Sequence, residues 1–313
     1  MSWYRKVAAV LLVISSGLVW ADEQNLPLKI KKPQPTKFLR LKRDQQGKPV
    51  ALETAIVRYV PAEGKSGISV DLISAVHLGD RSYYQNLNDR FRNYDAVLYE
   101  LVAPEGIKLP RKNGDSPLAV IQDIAKMVLD LELQIEQIDY RRKNFVHADL
   151  TPQQMAEAIR KRGDNGLTLA LSITADLLRQ QNVMQQRANQ NDDDDETPAL
   201  DPLQLLVNPD GPRQLKLMLA KQFDQLNEGG LGKTLNTILI DDRNKAALKV
   251  MQKELVAGKK KLGIFYGAAH MPDFEKRLRD EYGLKRDKVE WITAWDLTRP
   301  RNIGNLLRQL LDP

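Results

Sequence analysis

The stretch Ile73-Ser74-Ala75-Val76-His77-Leu78-Gly79-Asp80 closes an apolar run and opens a helical one, and Tyr266-Gly267-Ala268-Ala269-His270-Met271-Pro272-Asp273 repeats the arrangement. Each reads alanine, a small or apolar residue, histidine, an apolar residue, and an aspartate three places after the histidine. The chain has only three histidines, so two in matched surroundings form a pattern with content. Residues 68–76 and 261–266, ahead of the motifs, have the Val, Ile, Phe and Tyr content of strands. Behind the first, residues 80–93 place Tyr84, Leu87 and Phe91 on one helical face, and residues 273–282 form a second helix. Strand, loop and helix at both ends of the chain predict an α/β fold. In such sheets ligands bind beyond the carboxyl ends of the strands, where the loops carry functional side chains.

Working outward, residues 51–60 read as a strand joined to 68–76 by the turn Pro61-Ala62-Glu63-Gly64. Residues 96–102 read as a short strand stopping before Pro104, which completes a strand–helix–strand unit. The middle is helical: across 117–145, Ile121, Ile124, Val128, Leu131, Ile135 and Ile138 recur at three- and four-residue steps. Thr151-Pro152-Gln153-Gln154 carries a capping box with proline at the first helical position. Residues 191–198, with four consecutive aspartates, read as a solvated loop without calcium-loop spacing. A helix over 231–256, a strand near 289–294 and a helix from Asn305 complete the expectation. The predicted architecture is one α/β domain over 50–313, with a central mixed sheet, flanking helices and a large helical insertion at about 116–228.

Arg5 and Lys6, the apolar run from Val7 to Trp20 and the small Ala21 predict a signal peptide over 1–21, cleaved after Ala21. The run is shorter than the ~20 residues of a membrane span, so export without a stable anchor, to periplasm or medium, is the expectation. Residues 22–49 read as an irregular basic lead-in. The leader and residues 22–44 together account for the whole formal charge of +6. The remaining chain is neutral, which argues against a nucleic-acid surface. The chain has no cysteine, which excludes thiolate nucleophiles, cysteine zinc sites and iron–sulfur clusters.

The candidate site is built from His77, His270 and Glu100, the carboxylate that ends the apolar run Val97-Leu98-Tyr99. Two imidazoles and a carboxylate suit a catalytic divalent ion with an open position for water. A histidine acting as general base without metal is the other option. Asp80 and Asp273 stand where each can cap the following helix and orient its histidine. Arg243, in Ile240-Asp241-Asp242-Arg243-Asn244, reads either as a bidentate anchor for Glu100 or substrate, or as a surface arginine paired with a neighbouring aspartate. His147 reads as a loop or core histidine. Gly229-Gly230-Leu231-Gly232-Lys233-Thr234 reads as a helix stop and restart, because its first phosphate-loop glycine position holds Asn227.

Taken together, Gly267-Ala268-Ala269-His270, Tyr99-Glu100-Leu101, Arg243-Asn244 and Ser74-Ala75-Val76-His77 resemble the motifs of the TraB/TIKI superfamily, over about residues 68–295. That superfamily is related in fold to erythromycin esterases and ChaN-like haem-binding proteins. Ser74 stands where the family pattern has glycine. The resemblance implies a metal-dependent hydrolase, a peptidase in the animal members, with His77, His270 and Glu100 on manganese, zinc or cobalt and Arg243 as orienting residue. The substrate would be a peptide or small molecule. Its alternatives are a non-catalytic binder of peptide or haem, and a metal-free esterase with His77 as base.

Overall fold

The computed structural model describes residues 36–64, 67–102, 129, 131–161, 210–229 and 240–299. The leader, most of the expected insertion, the aspartate run, the glycine-rich 230–234 and the final helix lie outside them. In chain order the described strands are β1 (Leu39–Arg43), β2 (Pro49–Pro61), β3 (Ser69–Ala75), β4 (Leu78–Gly79), β5 (Ala96–Tyr99), β6 (Glu132–Leu133), β7 (Phe145–His147), β8 (Lys261–Gly267) and β9 (Leu284–Asp296). The described helices are α1 (Arg81–Phe91), α2 (Gln134–Gln137), α3 (Pro152–Lys161), α4 (Gly211–Gly229), α5 (Asp242–Val256) and α6 (Met271–Asp280).

Strand β2 organises one half of the sheet. Its alternation sends Leu52 and Ile56 to one face and Ala55, Val57 and Tyr59 to the other. Ala51 pairs with both Lys42 and Asp296, and Ile56 with both Ile73 and Glu290. Strands β1 and β3 therefore follow one another along one edge of β2, while β9 runs antiparallel along the other. From β3 the sheet continues through β8, β5 and β7, all parallel. The result is a mixed seven-stranded sheet with flanking helices, an α/β fold as the sequence predicts.

The parallel strands alternate in the same way, so each face carries its own core. One face holds Ile73, Val97 and Phe265 under Tyr83, Tyr84, Leu87 and Phe91 of α1. The opposite face holds Leu72, Leu98 and Ile264 under Leu248 and Met251 of α5 and Phe274 and Leu278 of α6. Handedness explains the split. The crossover from β3 through α1 to β5 moves outward past β8, and α5 leads back inward to β8. Right-handed connections in opposite directions must lie on opposite faces.

Three features differ from the sequence expectation. Residues 39–43, inside the expected irregular lead-in, form β1, because Leu39 is buried against the core and β2 offers it a free stretch of edge. The described end of the expected helix over 117–145 is instead β6, the single turn α2 and β7. Leu133 pairs with Leu78, and the Asn88 side chain donates to the Gln137 carbonyl and accepts from the Asp139 amide, so tertiary bonds break the helical run. Strand β9 runs five residues earlier than its apolar signal, through the exposed Lys285, Arg286 and Lys288. The capping box is present: Gln154 N–H donates to Thr151 Oγ1 at 3.2 Å, and Thr151 N–H to Gln154 Oε1 at 2.8 Å.

Gly263, in the middle of β8, is a position with little room for a side chain. A Cβ there would stand 2.8 Å from Ile73 Cδ1 and 3.5 Å from the Tyr94 ring. Gly263→Val is expected to destabilise the fold by about 1–3 kcal/mol through overpacking. Chemical denaturation should show a lower midpoint with an unchanged slope.

Candidate active site

The carboxyl ends of β8, β5 and β7 deliver Gly267, Glu100 and Asp149 to one face of the sheet. The N-terminal turn of α5 adds Arg243 and Asn244, and the 3₁₀ turn Ala268–His270 adds His270. Arg243 is the hub. Its Nε and Nη2 donate to Asp149 Oδ1 and Oδ2 at 3.0 and 2.6 Å, a bidentate pair. The same Nη2 donates to Glu100 Oε1 at 2.7 Å. Glu100 Oε2 accepts the Gly267 amide at 2.7 Å.

His270 is buried beside this pair. Its Nε2 lies 3.5 Å from Glu100 Oε1 and 3.5 Å from Arg243 Nη1, and its Nδ1 lies 2.7 Å from Asn244 Oδ1. The Tyr266 ring meets the imidazole edge-on, and the Tyr266 hydroxyl donates to the Ala148 carbonyl. Burial acts to raise the Glu100 carboxyl, but His270, Arg243 and the Gly267 amide outweigh it and hold the group well below the ordinary carboxylate range. Burial also opposes the Arg243 charge, and Asp149 and Glu100 overcome that opposition. Burial, then Asp149 and Glu100, push the Tyr266 hydroxyl far up, so it stays neutral.

The structure thus joins three of the four expected residues, Glu100, Arg243 and His270, and settles Arg243 as a buried anchor. His77 is exposed, and its backbone carbonyl accepts the Gln134 amide at 2.9 Å. The matched motifs differ in register. They align Ser74 with Gly267, yet in the sheet Ser74 lies beside Tyr266 and Ala75 beside Gly267. Equivalent positions are one residue out of step, and one residue reverses the face.

The loop bearing His77 is nonetheless firmly held. Tyr83 and Tyr84 hydroxyls donate to the Ser74 and Val76 carbonyls, and Trp295 Nε1 donates to the Leu78 carbonyl. Asp80 does not cap α1 with its side chain; it pairs with Lys216 at 2.8 Å and accepts the Asp296 amide. Asp273 acts on its histidine at one remove, accepting Asn244 Nδ2 at 2.9 Å. His147 ends β7, with its Nε2 2.6 Å from the Leu101 carbonyl. The sequence reading missed Asp149 and gave Asn244 no role. The available signal for Asp149 was that it follows a short strand, two residues beyond β7, much as Glu100 follows β5.

The expected metal does not fit these donors as placed. A divalent ion sits about 2.0–2.2 Å from nitrogen and oxygen ligands. Bound by His270 Nε2 and Glu100 Oε1, it would lie against the permanently charged guanidinium that already uses Oε1. Among the described residues no three histidine, cysteine or acidic side chains group to hold an ion. Among the same residues no helix is long and apolar enough to cross a membrane. Comparison with protein-family models, curated proteins and solved structures finds no match for this chain. The resemblance to the TraB/TIKI superfamily stands on its motifs alone.

Two stability predictions follow from the geometry. Arg243→Gln leaves the fully buried Asp149 side chain without its counter-charge, and should cost about 3–5 kcal/mol in urea unfolding. Glu100 is held below its unfolded value of about 4.3. Its contribution is therefore present above that value and lost as pH falls towards the depressed folded value. Between about pH 5 and 3 the wild type should lose stability more steeply than Glu100→Gln.

Proposed function

We propose that the chain is an exported hydrolase that cleaves a peptide or other acyl bond with His270 as general base. The observation that carries this reading is the buried imidazole–carboxylate–guanidinium group at a reversal point of the sheet. Neighbouring parallel strands β3 and β8 send their following helices to opposite faces. Such a reversal leaves a crevice at the carboxyl ends of the strands, where α/β proteins bind ligands. The loops bearing His77 and His270 border that crevice.

In this reading His270 Nε2 takes a proton from water as the water oxygen attacks the acyl carbon, and returns it to the leaving nitrogen or oxygen. Glu100 and Arg243 fix the imidazole's surroundings and supply an electrostatic field that needs no reorganisation during the step. The exposed ring of His77, on a loop held at the Ser74, Val76, His77 and Leu78 carbonyls, contacts substrate from across the crevice. The order of the motifs supports placing the activity near that of the TraB/TIKI superfamily.

The test is a screen of peptide and ester substrates on wild type, His270→Gln and Glu100→Gln, with and without chelator. Hydrolysis should survive chelation and fall by about 10²–10⁴ in His270→Gln. Loss of activity on chelation, with recovery in manganese, zinc or cobalt, would replace this reading with the metal-dependent one. A haem absorbance that depends on His77 or His270, without turnover, would make the chain a binding protein.

A further inference from the structure

We infer that Asn244 is a positioning residue that fixes a hydrogen on Nδ1 of His270, so that Nε2 is the ring nitrogen that gains and loses a proton. This deepens the reading of His270 as base, but its evidence is independent of any substrate.

The argument begins with the amide of Asn244, whose oxygen and nitrogen are told apart only by their partners. Its Nδ2 lies 3.0 Å from the His270 carbonyl oxygen and 2.9 Å from Asp273 Oδ2. A carbonyl and a carboxylate both accept, so the group facing them must be the donating NH₂. The other end is then the carbonyl Oδ1, an acceptor, and it lies 2.7 Å from His270 Nδ1. An acceptor at that distance requires a hydrogen on Nδ1. Asn244 has no exposed surface, so water does not compete for these bonds.

The other side of the ring is less constrained. Arg243 Nη1, a donor only, faces Nε2 at 3.5 Å. A hydrogen on Nε2 would point between that donor and Glu100 Oε1, also 3.5 Å away. The 2.7 Å bond at Nδ1 is the shorter, so it fixes the ring, while Nε2 meets one donor and one acceptor at equal distance. Asp273 is itself fixed by Arg277 Nε at 2.8 Å, and Arg277 Nη2 reaches Asp241, one turn before Lys245 on the approach to α5. The start of α5 and the start of α6 are thus tied together around one amide. An amide, unlike a carboxylate, fixes the ring without adding a negative charge that would favour imidazolium.

His147 supplies an internal control. Its Nε2 lies 2.6 Å from a backbone carbonyl, so its hydrogen must be on Nε2. The buried His270 and the partly buried His147 therefore carry a fixed hydrogen on opposite ring nitrogens, while His77 is exposed. The experiment is ¹⁵N–¹H correlation across the imidazole rings of protein labelled at histidine, at about pH 8, with His77→Gln and His147→Gln to assign the three rings. Wild type should show His270 with hydrogen on Nδ1 and His147 with hydrogen on Nε2. Asn244→Leu should move the His270 hydrogen to Nε2, where Glu100 is the remaining acceptor, and Asn244→Asp should keep it on Nδ1. A wild-type His270 without hydrogen on Nδ1 overturns the inference, and so does an Asn244→Leu ring still protonated on Nδ1. If Asn244→Leu fails to fold, the wild-type spectrum alone decides. A chain without hydrolytic activity can still pass this test, so its failure and that of the proposed function are separable.

Discussion

The Arg243 guanidinium is the interaction on which the carboxyl end of the sheet depends. It joins three elements that are distant in sequence: β5 through Glu100, β7 through Asp149, and α5 by its own backbone. Two carboxylates at neighbouring strand ends would repel each other in a buried setting without a cation between them. Arginine suits this task better than lysine because its planar fork meets Asp149 with two parallel bonds and still has Nη2 to share with Glu100. The cost of burying three charges is offset only because their lone pairs and hydrogens are largely matched, with the Gly267 amide taking the remaining Glu100 oxygen.

Topology decides which side chains can reach that cation. The outward crossover through α1 and the return through α5 place their helices on opposite faces, so only residues on the α5 and α6 side meet Arg243. His270 and Asn244 lie on that side; the loop of His77 turns instead into β4 and α1, whose Tyr83 and Tyr84 belong to the other core. The two histidine loops remain neighbours at the sheet end because β3 and β8 are paired along their length.

Much of this was legible in the sequence. Alternating Val, Ile and Tyr gave the strands, the spacing of Tyr84, Leu87 and Phe91 gave α1, and Thr151 with Gln154 gave the cap of α3. Glu100 was visible as a charge at the end of an apolar run, and His270 through its motif. What could not be read is what depends on register. The matched motifs suggested two equivalent histidines, but a one-residue offset in strand pairing is invisible in a motif and reverses the direction of every side chain. Charged edge residues hid the first half of β9, because a strand exposed on its outer side needs no apolar signal there. The turn at Gln134–Gln137 was lost as a helix because Asn88, some fifty residues away, takes its last carbonyl.

The same geometry sets what a metal ion would meet at the position the arginine holds. Both would use Glu100 Oε1, and both would stand near His270 Nε2, so they compete for one position. A metal entering there must displace the Nη2 bond to Glu100 and leave the guanidinium held by Asp149 alone, within a few ångströms of a second positive charge. At 4 Å two unit charges repel by about 4 kcal/mol even at an effective dielectric of 20, and a divalent ion doubles that. Ligand bonds to two side chains would have to exceed this and the lost hydrogen bond, with His77 swung in from an exposed position as the third donor. Asp149, bidentate on Arg243 and with a fully buried side chain, is what holds the guanidinium in that position.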